Sequence, residues 1–525
     1  MNGRCDMWRA EIAELERRKA IAHQMGGKKE IERQHKQGKM TVRERIDTLI
    51  DNGSFRERGI LTGIPTYENN ELINLIPCPF VMGIAKISGR RVAVEGDDFT
   101  IKGASVEKLY KSKCAYFNKM ARSFRIPIVR LVETAGGAMK EVFSRGYTEA
   151  PGLGFGDECL QNGVEMMSEI PIVAVALGSA AGLGAMYMVQ SHFSIMVKKT
   201  SQVFVGGPAL VQWAFGQKIS KEELGGYEIH TRLTGVVDNV AEDEYDALEQ
   251  VKKFLSYLPQ NVWELPQGQQ TDDDPERRDE ELLSVIPKDT KKSYDIRKIL
   301  KLVLDSDSIF EIGKDQGRSQ ITALARLNGY PVGVLANDPR FLAGTFNYDV
   351  AEKFSRFIDM CDTFHLPIIN LSDQPGFRIG KEGELNATIR KGVRASFAPI
   401  EATVPMAVVY LRKCFGVAGA AQKSGMRLSW QFAWPSAVFG NMPLEGGIYV
   451  AHRAEIESAE NPEEHLEKLQ KTYRAIQSPF RTAEAFAIED VIDPRDTRSL
   501  LCDWVEMAYD FEKTNLGVKT RGIRC

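Results

Sequence analysis

The chain lacks any C-x-x-C pair. Its eight cysteines, Cys5, Cys78, Cys114, Cys159, Cys361, Cys414, Cys502 and Cys525, are scattered. That spacing argues against a zinc ribbon and a disulfide framework, and it predicts a reducing compartment: the cytoplasm, or the mitochondrial matrix in a eukaryote. The seven histidines form no H-E-x-x-H and no clustered ligand spacing, so no metal is expected. There is no Walker A loop, no G-x-S-x-G elbow and no complete dinucleotide fingerprint after a strand. A net charge of −3 makes no case for nucleic acid or an anionic membrane. No apolar segment near residue 1 reads as a signal peptide.

One run mimics a membrane span. From Ile170 to Val197 there is no Lys, Arg, Asp or Glu, which is about long enough to cross a bilayer. Pro171, Gly178, Gly182 and Gly184 interrupt it, and His192 follows. A central strand followed by a buried helix is the expectation, not a lipid-facing helix, and no membrane partner is expected.

That run belongs to a pattern written twice. Pro171–Leu177 leads into Gly178-Ser179-Ala180-Ala181-Gly182-Leu183-Gly184-Ala185. Pro405–Leu411 leads into Gly416-Val417-Ala418-Gly419. The proline precedes the glycine by 11 residues each time (182 − 171; 416 − 405). Ser-x-Val-Phe follows both, ending at Phe204 and Phe439. Upstream, Ile126–Glu133 runs into Thr134-Ala135-Gly136-Gly137-Ala138, and Leu366–Asp373 into Gln374-Pro375-Gly376-Phe377. Buried strands running into glycine turns aim backbone N–H groups at a ligand oxygen. Two such places suggest two oxyanions and two reacting partners. Ordinary glycine turns in a pair of α/β domains remain the plainer alternative.

Alternating strands and helices predict an α/β class with buried strands. At 525 residues two domains are expected. The polar, proline-bearing stretch 258–293 reads as an exposed linker with a boundary near 275–290. The expected domains are 1–280, opening with a solvated helical arm over about fifty residues, and 281–525. Glu133 and Asp373 close their strands. Each is a candidate acid or base, although capping of the following turn is favoured. Gly152–Gly156 reads as a flexible loop. Lys140, in Ala138-Met139-Lys140-Glu141, only partly matches a biotin attachment site and is read as unmodified.

The chain resembles the carboxyltransferase (β) subunits of biotin-dependent acyl-CoA carboxylases, the propionyl-CoA and methylcrotonyl-CoA carboxylase group. Gly38-Lys39-Met40-Thr41-Val42-Arg43-Glu44-Arg45-Ile46 is similar to the family's G-K-L-T-A-R-E-R-I. Asp98-Phe99-Thr100 with Gly103-Ala104-Ser105 resembles D-F-T-x-x-G-G-S, and Ala135–Ala138 the S-G-G-A loop. Glu222–Gly226 with His230 resembles E-E-L-G-G…H. In the second half Tyr294–Arg297, Ala336–Pro339 and Phe357–Asp362 fit in order. Asp373–Phe377 resembles D-x-P-G-F, and Ala433–Ala437 resembles A-W-P-T-A. The resemblance spans about residues 38–510.

It implies two tandem crotonase-like β-β-α spiral domains, acyl-CoA on the first and carboxybiotin on the second. The biotin comes on a carrier from another subunit, with a biotin carboxylase as partner and none bound covalently here. Copies of the chain would pair into a dimer-based hexamer. The implied catalytic amides lie at Gly136, Gly137, Gly182 and Leu183 for the thioester oxygen, and at Gly376, Phe377, Val417 and Ala418 for the biotin oxygen. Substrate contacts are implied at Gly103, Ala104, Ala138, Gly184 and Phe204, and biotin contacts at Gly376, Phe377, Gly416 and Phe439. Leu183 and Val417 stand where the family commonly has glycine. They keep the N–H and add bulk, which leaves the acyl group open. A biotin-dependent acyl-CoA decarboxylase α subunit, a biotin-free crotonase-type hydratase or hydrolase, and a non-catalytic scaffold are the alternatives.

Overall fold

The structure is a computed structural model and describes residues 7–105, 108–137, 162–425, 427, 429–442 and 444–522. Ala138, Lys140, Glu141 and the Gly152–Gly156 loop lie outside the described residues. The chain divides into two compact units, Met1–Ser256 and Tyr257–Arg524.

The first unit holds β1 (Arg56–Glu57), β2 (Gly63–Glu68), β3 (Glu71–Pro77), β4 (Phe80–Ile87), β5 (Arg90–Asp97), β6 (Ile128–Thr134), β7 (Ile172–Ala181), β8 (Phe193–Val197), β9 (Gln202–Phe204) and β10 (Asn239–Ala241). The second holds β11 (Phe310–Glu311), β12 (Gln320–Leu327), β13 (Tyr330–Asn337), β14 (Ile368–Gln374), β15 (Met406–Phe415), β16 (Ser429–Ala433), β17 (Val438–Gly440) and β18 (Asp490–Val491).

The sheet of the first unit runs β1-β4-β5-β6-β7-β8-β10, with β9 also on β7. That of the second runs β11-β12-β13-β14-β15-β16-β18, with β17 on β15. The two orders match strand for strand, so the sequence repeat is a structural one. In both, an antiparallel pair (β4/β5, β12/β13) opens onto parallel strands. Parallel strands are covered on both faces and so read as unbroken apolar runs. β6 and β14 are buried at every position. The run Ile170–Val197 resolves into β7, a helix at Leu183–Val189 and β8, as expected. Among the described residues no helix is long and apolar enough to cross a membrane.

Two features differ from the sequence expectation. The arm is solvated only at first: the helices Arg9–His23 and Lys28–Lys36 each bury one residue, Ala22 and Gln34. The third helix, Val42–Leu49, is core. Thr41 and Glu44 close a capping box at its start, and Val42, Arg45, Ile46 and Leu49 are buried. The division also falls at Ser256/Tyr257, upstream of 275–290. The polar stretch expected as a linker is tied to the second unit through its own backbone. Gln269 N donates to Gly329 O at 3.0 Å, Arg326 Nη1 to Gln267 O at 3.2 Å, and Arg498 Nε to Asp274 O at 2.8 Å.

Candidate active site

Strand register brings the glycine turns together. Thr134 of β6 sits opposite Ala180 of β7, so Gly136 and Gly182 leave the sheet side by side two residues later. Gln374 of β14 sits opposite Cys414 of β15, which does the same for Gly376 and Gly416. All four glycines have positive φ: 91° at Gly136, 58° at Gly182, 118° at Gly376 and 60° at Gly416. A side chain is strained in that region, whereas glycine adopts it freely. A Cβ on Gly136 would lie 3.5 Å from Ala181 O, so the two turns of the first unit touch.

Their N–H groups are not equivalent. Gly136 N donates to Thr134 Oγ1 at 3.1 Å, and Gly376 N donates to Gln374 Oε1 at 3.0 Å. Those two amides are therefore turned inward, and both glycines shape the turn. Phe346 N donates to Gly376 O and Arg378 N to Phe346 O, so the intervening Phe377 N–H points away from that bridge. Among the described residues no acceptor meets the N–H of Gly137, Phe377, Leu183, Val417 or Ala418. The last three lie in the first turns of the helices Leu183–Val189 and Gly416–Ala420, where N–H groups have no intrahelical partner. Gly137, Gly182, Gly416 and Val417 are exposed.

Behind each turn lies a short left-handed segment. Lys102, Gly103 and Ala104 have φ of 51°, 65° and 48°, and Leu342, Ala343 and Gly344 have 46°, 53° and 82°. The first segment is tied to the site: Thr134 Oγ1 donates to Ala104 O at 2.7 Å and Ala135 N to Gly103 O at 2.9 Å. Gly103 and Ala104 thus stand next to Gly136. Gly184 packs against the Thr134 methyl group, which a Cβ would approach to 2.4 Å. Phe204 is buried and brings its carbonyl to 3.4 Å from Gly182 N. His230 Nε2 meets Val203 O at 2.7 Å and props that strand, and burial lowers the His230 pKa. In the second unit Phe439 packs edge-on against Tyr410, with ring centroids 5.2 Å apart. Phe377 packs edge-on against Phe346 at 5.6 Å.

The two carboxylates cap nothing. β6 and β7 slip register between Val132 and Thr134, and β14 and β15 between Ser372 and Gln374. Glu133 and Asp373 are the residues at those bulges, and both are fully buried. Glu133 accepts from Gln34 Nε2 at 2.7 Å, Lys39 Nζ at 2.5 Å and Arg45 Nη1 at 2.7 Å. Asp373 accepts from Tyr294 Oη at 3.0 Å, Arg412 Nε at 3.1 Å and Lys413 N at 2.9 Å. Burial, and then the Asp373 charge, hold Tyr294 well above its usual pKa. Cys414, beside the second turn, is pushed up to about 12 by burial and is no thiolate at neutral pH.

Sequence reasoning missed Thr134 and Gln374, the side chains that lock the turns, and Arg412, a buried cation between the strands. It had Lys39, Arg45 and Tyr294 in hand only as motif letters. The signal was their charge or polarity in segments otherwise destined for the core. Among the described residues, no group of three or more His, Cys, Asp or Glu could hold a metal ion.

Residues 33–522 match the carboxyl transferase domain family. The chain is 35% identical over 497 residues to the propionyl-CoA carboxylase carboxyltransferase subunit of Haloferax mediterranei, covering 93% of this chain and 94% of that protein. It is 31% identical over 518 residues to the methylmalonyl-CoA carboxyltransferase 12S subunit of Propionibacterium freudenreichii subsp. shermanii, covering 98% and 97%. The crystal structure of transcarboxylase 12S, solved as a hexamer with methylmalonyl-coenzyme A and methylmalonic acid bound, superposes with a TM-score of 0.89 at 30% identity, covering 98% of each chain. A single-chain, multi-domain long-chain acyl-CoA carboxylase gives 0.81 at 26% identity, covering 95% of this chain and 49% of that one. The paired spiral sheets and their twin turns therefore belong to the carboxyltransferase family of biotin-dependent acyl-CoA carboxylases, and the chain is an enzyme that transfers carboxyl groups.

Proposed function

We propose that this chain exchanges a carboxyl group between biotin and a short acyl-CoA, with propionyl-CoA and methylmalonyl-CoA as the pair to test first. The observation that carries this reading is the duplicated set of backbone N–H groups without an acceptor, held side by side at two equivalent strand ends. Such donors stabilise oxygen that gains negative charge, and they need no side-chain nucleophile.

In the first unit, Gly137 and Leu183 N–H would receive the thioester oxygen as the α-carbon loses its proton. Gly103, Ala104, Gly136, Gly182, Gly184 and Phe204 shape that site. In the second, Phe377, Val417 and Ala418 N–H fit a ureido oxygen, which is an acceptor matched to amides lacking one. Gly376, Gly416 and Phe439 shape that side. Carboxybiotin, when bound from a separate carrier, supplies both the CO₂ and the base. Each donor contributes about 2.7–4 kcal/mol to barrier lowering in comparable sites. A biotin-free hydratase would need a free carboxylate beside the first turn. Glu133 and Glu141 are the candidates: Glu133 is sealed by Gln34, Lys39 and Arg45, and Glu141 lies outside the described residues.

A biotin carboxylase and its carrier are the proposed partners, along with further copies of this chain in a hexamer. Two exposed apolar faces support self-association. The helix Pro208–Phe215 buries no residue and exposes Leu210, Trp213 and Phe215. The helix Thr388–Glu401 exposes Ile389, Val393, Phe397 and Ile400 at helical spacing.

The test is transfer run in reverse. Purified protein receives malonyl-, methylmalonyl- or methylglutaconyl-CoA with free biotin or biocytin. Biotin-dependent loss of carboxylate from one thioester supports the reading and ranks the substrates. Tight binding of these thioesters with no turnover on any of them would count against it.

A further inference from the structure

The motif Gly38–Ile46 has no part in the chemistry above, yet it reaches the acyl-side turn. Arg45 is 1% exposed and is bonded to three separate elements. Its Nη1 donates to Glu133 Oε2 at 2.7 Å, and its Nη2 donates to Leu177 O at 3.0 Å. Nε and Nη2 donate to Glu244 Oε2 and Oε1 at 2.9 and 2.7 Å. Glu133 lies at the bulge on β6, and Leu177 lies on β7 opposite it, between the paired positions Ala176 and Ala180. One guanidinium therefore spans both strands just where their register slips. Gly136 and Gly137 lie three and four residues beyond Glu133, and Gly182 and Leu183 five and six beyond Leu177.

Gly178 leaves room for this anchor, since a Cβ there would meet Glu133 Oε1 at 2.2 Å. Lys39 and Gln34 complete the shell around Glu133. The second unit solves the same problem differently. Asp373 is held by Arg412 and Lys413 of its own partner strand and by Tyr294. The biotin-side turn is thus anchored largely from within its sheet, and the acyl-side turn from the arm.

We infer that Arg45 is a positioning residue for carboxyl transfer: by bridging Glu133 and Leu177 O it sets the spacing of the Gly137 and Leu183 amides. It touches no reacting atom. A guanidinium fits this role because its planar fork makes several directed bonds at once, which a lysine ammonium does not reproduce. The inference rests on the donor assignment proposed above.

The test uses the full chain with Arg45→Lys, and Glu133→Gln as a second variant should the first fail to fold. Three readouts are taken together: kcat and KM in biotin-dependent decarboxylation of the best CoA ester, hydrogen exchange of the amides in 134–137 and 180–184, and the thermal midpoint. Misplacing a catalytic group by about 1 Å can cost on the order of 100-fold, so a fall in kcat of about 10- to 100-fold is expected. KM for the CoA ester should hold, and the amides of both segments should exchange faster. A folded variant with unchanged kcat and quiet amides would show that Arg45 only stabilises the unit, and would overturn the inference. Faster exchange with unchanged kcat would overturn the donor assignment beneath it.

Discussion

Gly178→Ala tests the bulge network through a single methyl group. Gly178 lies on β7, where its φ is not in the left-handed region, so alanine suits the backbone. Space is the obstacle. The new Cβ would lie 2.2 Å from Glu133 Oε1, 2.4 Å from its Cδ and 2.5 Å from its Cγ. Non-bonded carbons settle at about 3.5–4.0 Å, so the carboxylate would have to retreat by more than about 1 Å. Glu133 has nowhere to go: it is fully buried and fixed by Gln34, Lys39 and Arg45. Breaking a buried pair of this kind costs about 3–5 kcal/mol, because the surviving charges stay buried. For a unit of this size each kcal/mol moves the midpoint by about 2–4 °C, which makes a drop of about 6–20 °C the expectation. The assay is thermal and urea unfolding beside a control, Gly446→Ala. Gly446 lies in the helix Leu444–Ala451 with open space around it. The control should be neutral or gain about 0.4–1 kcal/mol. A Gly178→Ala protein within about 0.5 kcal/mol of the parent, the range of harmless surface changes, would refute the reasoning.

Three further expectations follow from named groups. Thr134→Val removes the hydroxyl shared by Gly136 N and Ala104 O, leaving buried groups unpaired; a loss of about 1–3 kcal/mol with lowered kcat is expected, and unchanged unfolding and kinetics would contradict it. Val417→Gly trims a side chain that is 61% exposed, so stability should change by no more than about 1 kcal/mol. KM for free biotin should shift while KM for the CoA ester holds, and the opposite pattern would reverse the two halves. Asp359 is pushed up to about 6 by burial, which the Arg521 ion pair only partly offsets. Its folded pKa exceeds the unfolded value, so its contribution is fully present below about pH 4 and is lost as pH rises through about 6. A rise of about 2 in pKa corresponds to about 3 kcal/mol. Unfolding free energies at pH 4.5 and 7.5, for the parent and Asp359→Asn, should show that slope shrink in the variant.

Much of the fold was legible because parallel strands announce themselves. Ile172–Leu177 and Met406–Leu411 are unbroken apolar runs ending in glycine, and spacing alone paired the two copies. That Gly136 and Gly182 share a site came only from the family resemblance, and the parallel register of β6 and β7 supplies the physical reason. The direction of individual N–H groups was not legible. Whether Gly136 or Gly137 is available depends on Thr134 Oγ1, a contact set by φ and ψ and not by residue type. Glu133 was misread because a strand-end carboxylate looks the same whether it caps a turn or fills a bulge. The deciding partners, Gln34, Lys39 and Arg45, lie about 90 to 100 residues upstream (133 − 45 = 88; 133 − 34 = 99). The stretch 258–293 misled for a related reason. Its backbone carbonyls accept from side chains far away in sequence, as Asp274 O does from Arg498 Nε.

The central claim is that two sets of backbone N–H groups do the catalytic work. Proline deletes an N–H and is accepted in the first turn of a helix, where Leu183 and Val417 both lie. The decisive measurement is therefore biotin-dependent decarboxylation of the preferred CoA ester by Leu183→Pro and Val417→Pro, each verified as folded. Loss of one donor should lower kcat by about 10²–10³-fold in both variants. Folded proteins that keep the parent's kcat would contradict the account.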